Sequence, residues 1–126
     1  MTVTLGIVSN GNIQGLLLCV SAALTGTRRP NSIVIRMEGE LPSFGNFYLE
    51  QLAALAAFHG VSFCLYRSSA RGIRTARQWQ LDSCKTDALW MLDDDVLPTP
   101  LCLENLVRAW SQSEFQPRCR SRSSVE

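Results

Sequence analysis

The chain has 126 residues, 46% of them hydrophobic and 18% charged, with a formal net charge of +1 at neutral pH. That size suits one domain with a core of its own, and so small a charge excludes nucleic acid as an expected partner and gives no electrostatic attraction to a membrane surface. The longest apolar-rich segment, Ile13 to Leu24, is broken by Gln14, Gly15 and Ser21 and falls short of the roughly 20 residues a membrane span requires.

In chain order, strand and helix signals alternate. Thr2 to Ser9 is β-branched and apolar enough for a central strand. Ser9-Asn10-Gly11-Asn12 is a turn with helix-capping residues. Ile13, Leu16, Leu17, Val20 and Leu24 recur at helical spacing, which predicts a helix over Asn12 to Thr25, closed by Gly26 and Pro30. Ser32 to Met37 is a second strand. A loop through Glu38, Gly39, Glu40 and Pro42 leads to a helix from Asn46 to Phe58, with Gly60 as a left-handed cap. Val61 to Tyr66 is a third strand, Ile73 to Cys84 a helix, Leu89 to Leu92 a fourth strand, and Leu101 to Trp110 a last helix opened by Pro98-Thr99-Pro100. The order implies an α/β fold, a Rossmann-like three-layer α/β/α arrangement with a mainly parallel sheet of about four strands. Residues 1–110 form the expected domain. Residues 111–126 are an Arg/Ser-rich tail with too little apolar content to order itself.

Cys19, Cys64, Cys84, Cys102 and Cys119 are odd in number and lack any CxxC spacing. They predict buried thiols in a reducing compartment. With no basic segment ahead of an apolar stretch at the amino terminus, a cytoplasmic protein is the expectation.

Two clusters carry the chemistry. Ala88-Leu-Trp-Met-Leu runs straight into Asp93-Asp94-Asp95. Ligands in open α/β sheets sit beyond the carboxyl ends of such strands. Three adjacent carboxylates there repel one another until a hard divalent cation joins them, although a solvated acidic turn has the same sequence. The second cluster, Ser68 to Arg77, opens a helix after the third strand and carries Arg71, Arg74 and Arg77. Free N–H groups and the helix dipole favour an anion at that end, and the alternative is three solvated arginines. The two clusters share one sheet edge, so they are expected to face each other across a gap that fits a diphosphate. Glu38 and Glu40 follow the second strand on that edge, suited to a ribose or base or to solvent. Ser9 and Asn10 end the first strand within reach of a nucleotide. His59 precedes a cap glycine and receives no catalytic role.

A strand ending in a polar turn, then Gly72…Ala76-Arg77, then an apolar strand into Leu92-Asp93-Asp94-Asp95 and Val96-Leu97-Pro98-Thr99-Pro100 resembles the nucleotide-binding half of family 2 glycosyltransferases of the GT-A fold. The resemblance covers Thr2 to Trp110. It implies transfer of a sugar from a nucleotide-diphosphate donor, of UDP or GDP type, to an acceptor hydroxyl. It assigns Arg77 to the diphosphate, Asp93 and Asp94 to the nucleotide sugar, and Asp93 and Asp95 to a Mn²⁺ or Mg²⁺ ion, Asp95 foremost. Gln78 stands where the family has asparagine, and Arg36-Met37-Glu38-Gly39-Glu40 departs from the family's acidic run after the second strand. The family continues into an acceptor-binding half that carries its catalytic base, so the expectation is a fragment, a truncated frame or a protein that uses donor binding alone. A non-catalytic domain that folds, dimerises through an exposed sheet edge and at most binds nucleotide is the alternative. A phosphoacceptor signalling domain fits less well, because Ser9-Asn10 supplies no acid after the first strand and Lys85 lies at a helix end rather than on a later strand.

Overall fold

The computed structural model describes residues 1–39, 41, 43–68 and 72–112. Glu40, Arg71, Cys119 and the tail from residue 113 onward lie outside the described residues. Eight elements alternate as the sequence predicts: β1 (Val3–Ser9), α1 (Ile13–Leu24), β2 (Ser32–Glu38), α2 (Gly45–Phe58), β3 (Ser62–Ser68), α3 (Ile73–Ser83), β4 (Ala88–Asp93) and α4 (Cys102–Gln112). Boundaries move by a residue or two from the expected ones, and α4 carries Ser111 and Gln112 inside its last turn.

The four strands form one parallel sheet in the order β3-β2-β1-β4. β1 is central and every one of its residues is buried, as its unbroken apolar composition requires of a parallel strand covered on both faces. Val3, Leu5 and Ile7 face one layer, where they join Leu16, Val20 and Leu24 of α1, Leu49 and Leu52 of α2, and Leu103 and Val107 of α4 in one cluster. Among the described residues, α3 is the one helix on the other face. Asn12 caps α1 by accepting from the Gly15 N–H at 3.1 Å, and Gly60 takes φ 74° after α2, both as their residue types dictate.

Single-helix cover on the α3 face has two consequences. The edge strand β3 alternates between exposed and half-buried side chains, so Cys64 is exposed, against the expectation of a buried thiol. Cys84 and Cys102 are half-buried, and only Cys19 among the described cysteines is fully inside. The open part of that face forms a cavity of about 230 Å³ lined by Thr4, Ser32, Ser62, Cys64, Cys84 and Thr86, among others. Its hydroxyls bond one another, Thr4 to Ser32 at 2.8 Å and Thr4 to Thr86 at 2.7 Å. The hydroxyls gather toward the amino ends of the strands, away from the edge on which the acidic triplet lies, while Val34, Tyr66, Trp79 and Leu89 give the groove a largely apolar wall. Among the described residues, no helix is long and apolar enough to cross a membrane.

Candidate functional site

In the order 3-2-1-4, the chain leaves β1 through α1 on one face and reaches β4 through α3 on the other. The β1–β4 boundary is therefore the topological switch point, and the crevice beyond its carboxyl ends is where such sheets bind ligands. The acidic triplet stands there, and its three carboxylates have three different surroundings.

Asp93 ends β4 and faces α3. Its Oδ1 accepts from Arg77 Nη2 at 2.6 Å, with the aspartate side chain 65% exposed and the arginine 20% exposed. Asp94 turns toward β1, where its Oδ2 accepts from the Ser9 hydroxyl at 2.7 Å; Ser9 Oγ in turn accepts from the Gly11 N–H at 3.2 Å. The Asp94 backbone carbonyl meets α1 where Gly15 has no side chain: a Cβ there would lie 2.2 Å from the oxygen. Asp95 is exposed and has no hydrogen bond or ion pair among the described residues. Beneath the triplet, burial, reinforced by the charges of Asp94, Asp95 and Asp93, pushes the Cys19 thiol up to about 12. The acidic field thus reaches into α1.

Arg77 and the triplet share the rim, as the sequence implies. The expected gap between them is closed instead by a direct ion pair. α3 places Arg77 and Arg74 differently: Arg74 is exposed beside Thr75, Gln78 and Asp82 in an open surface groove. Asn10 is exposed at the end of β1, next to a cleft of about 510 Å³ between the amino ends of α1 and α2, walled by Asn12, Leu17, Phe44 and Tyr48. Glu38 is 3% exposed. Its Oε2 accepts from Arg36 Nε at 3.3 Å and its Oε1 from the Gly72 N–H at 3.3 Å, so it caps α3 across the sheet. Arg36 also donates to Ser68 Oγ at 3.1 Å and lies 5.1 Å from the Trp79 ring centroid. Glu40 and Arg71 lie outside the described residues.

Two residues of this constellation carried no functional reading in the sequence. Arg36 had a signal: a charge in an apolar strand, two positions before Glu38 and hence on the same face. Gln80 had none. It is 2% exposed on α3 and donates through Nε2 to the carbonyls of Ile7 at 3.0 Å and Val34 at 3.4 Å. Gly6 makes room for it, since a Cβ there would stand 2.9 Å from Gln80 Oε1. That Oε1 and Arg77 Nη1 are both buried without a hydrogen-bond partner among the described residues, a state that costs about 1–3 kcal/mol per group.

The described residues contain no cluster of three or more His, Cys, Asp or Glu side chains arranged to hold a metal. Asp93 and Asp95 nevertheless present exposed carboxylate oxygens, the donor type a hard cation takes. One or two such groups suffice for Mg²⁺ when substrate phosphates and water complete its shell. The donor set fits such an ion.

Fold and rim together define a Rossmann-like α/β domain with an acidic, arginine-paired edge at its switch point. Residues 48–123, more than half the chain, match the family described as Glycosyl transferase family 2, and the chain belongs to that family. Its backbone is similar to the crystal structure of S. aureus TarS, with a TM-score of 0.68 at 11% identity over 89% of this chain. That likeness shows the fold, a GT-A-like half. The chain spans 20% of the length of TarS. No curated protein matches its sequence.

Proposed function

We propose that this domain binds a nucleotide-diphosphate sugar, of UDP or GDP type, at the carboxyl rim of its sheet and serves transfer of the sugar to an acceptor hydroxyl. Family membership supports donor binding in general. The observation that carries the reading is the Arg77–Asp93 contact at the β1–β4 switch point. A guanidinium, a fork suited to phosphate oxygens, and a carboxylate suited to a cation meet at the one place where this topology binds ligands.

Asp93 and Asp95 would hold Mn²⁺ or Mg²⁺, which when bound neutralises charge on the leaving diphosphate. Arg77 contributes the second positive charge to that leaving group. Ser9 holds the Asp94 carboxylate in place, which keeps the triplet turn oriented toward the crevice. Asn10, at the mouth of the rim, together with Glu40 and Arg71, is assigned to the nucleotide. Glu38 reaches the same ligand only by giving up a bond to Arg36 or Gly72, and Arg74 contributes charge at the helix face. Calorimetric titration with UDP and with GDP, in Mn²⁺ and in EDTA, tests the reading. One nucleotide should bind at least tenfold tighter with the metal, and equal affinities in the two buffers overturn it.

A further inference from the structure

α3 carries Arg77 and rests on few apolar side chains, among them Ala76 and the half-buried Trp79, which packs edge-on against Tyr66 of β3. Its only buried residues are Ala76 and Gln80, and these flank Arg77 on either side along the helix. Trp79 holds the outer side of the helix against Tyr66 and Arg36, and over β1 and β2 the directional hold is an amide. Gln80 Nε2 reaches through the notch left by Gly6 and donates to the carbonyls of Ile7 in β1 and Val34 in β2. Arg77 lies three positions earlier, a little under one helical turn, and its Nη2 arrives 2.6 Å from Asp93.

Stability alone does not select glutamine at this position. Its Oε1 is buried and has no hydrogen-bond partner among the described residues, so an unbranched apolar side chain of similar length would fill the notch without an orphaned acceptor. The carbonyls it bonds belong to inner strands of the parallel ladder, where Ile7 is in register with Ile35 and Leu92 and Val34 with Gly6 and Cys64. A directional bond supplies what apolar packing lacks: one rotation of the helix about its own axis. The adjoining Arg77 Nη1, buried without an acceptor among the described residues, fits a guanidinium held where the helix puts it rather than where its own bonding would be complete.

From this geometry we infer that Gln80 is a positioning residue, with Gly6 as its socket, that sets Arg77 against Asp93 and so presents the guanidinium to the diphosphate; the last step rests on the proposed function. The effect is transmitted through Arg77, and Gln80 itself touches no ligand.

The test compares the wild-type domain with Gln80→Met, Gly6→Ala and Arg77→Ala. Urea unfolding should show Gln80→Met at the wild-type midpoint or above it. In the same variant the Arg77 Nε–Hε resonance, assigned by its loss in Arg77→Ala, should move to the position of a free arginine. Affinity for inorganic pyrophosphate with Mg²⁺, read by calorimetry, should fall about tenfold in Gln80→Met and Gly6→Ala. In an Arg77→Ala background the Gln80→Met change should have no further effect on pyrophosphate. An unshifted Arg77 resonance in Gln80→Met overturns the inference, as does a tenfold loss that persists without Arg77. If the wild-type domain binds no pyrophosphate, the proposed function fails, and the arginine resonance alone still decides the role of Gln80.

Discussion

The Ser9 hydroxyl donates to the Asp94 carboxylate at 2.7 Å and so ties together the carboxyl ends of β1 and β4, 85 residues apart in the chain. Asp94 is held a second time through its backbone, where the carbonyl packs against the bare Cα of Gly15. The middle acid of the triplet is thus a structural pivot, and it leaves Asp93 and Asp95 on either side to face the crevice. The carboxylates the resemblance assigns to a cation are the two that the fold leaves exposed.

Removing either support should loosen the pivot. Ser9→Ala deletes a bond to an ionised group and should lower unfolding stability by about 1–2 kcal/mol. Gly15→Ala gains helix propensity of about 1 kcal/mol. It also forces a methyl against a backbone oxygen that a side-chain rotation cannot clear, at about 1–3 kcal/mol. A net loss in urea unfolding is expected for both variants. A Gly15→Ala protein more stable than the parent would show that the Asp94 turn yields freely.

Arg77 and a metal ion compete for Asp93, because Asp93 Oδ1 is already engaged by the guanidinium. Removing Arg77 should therefore tighten binding of the cation by itself while weakening diphosphate. A half-exposed ion pair is worth up to about 1 kcal/mol, so Mn²⁺ affinity in Arg77→Ala should rise about fivefold, read from the free-ion signal in electron paramagnetic resonance. Asp95→Ala should move it the other way by more than tenfold. Asp95 has no partner among the described residues, so its stability should be unchanged. Weaker Mn²⁺ binding in Arg77→Ala would rule out the competition.

The element order and parallel sheet were legible because each strand has an apolar run and every turn but Cys84 to Asp87 carries Gly, Pro or Asn, so local pattern and global fold agree. The rim was legible because strand ends and helix starts must share an edge. What escaped was set by contacts between distant segments. The Arg36–Glu38–Gly72 network depends on which acid the β2 end buries, and the Gly6–Gln80 notch pairs residues 74 positions apart. Cys64 read as buried because β3 is as apolar as an inner strand, yet the strand order makes β3 an edge.

Glu38 is nearly as buried as the apolar core, and Arg36 is its only cationic partner among the described residues. Arg36→Met keeps the stem over Trp79 but strands a carboxylate that, among the described residues, retains only the Gly72 N–H. A loss of about 3 kcal/mol is expected, the lower end for breaking a buried pair from one side. The double variant Arg36→Met, Glu38→Leu should recover a large part of it, because no charge is then left uncompensated. Urea midpoints for the three proteins decide this, and a double variant no better than Arg36→Met would locate the cost in lost packing over Trp79.

Cys19 gives the domain a signature at alkaline pH. The folded thiol titrates at about 12, raised from an ordinary 9.0 chiefly by burial and then by Asp94, Asp95 and Asp93. The unfolded chain loses that proton near its ordinary value. Between about pH 9 and pH 12 the native state therefore binds more protons, and stability falls as pH rises, by at most about 1.4 kcal/mol per unit from this group. Below pH 9 the contribution is constant. Cys19→Ala should start less stable through lost packing and decline less steeply over the alkaline range, in urea unfolding measured from pH 8 to 11. Because burial outranks the acidic charges as a cause, adding a divalent cation should reduce the wild-type slope only slightly. Parallel curves for the two proteins would mean that the thiol is accessible to hydroxide in the native state.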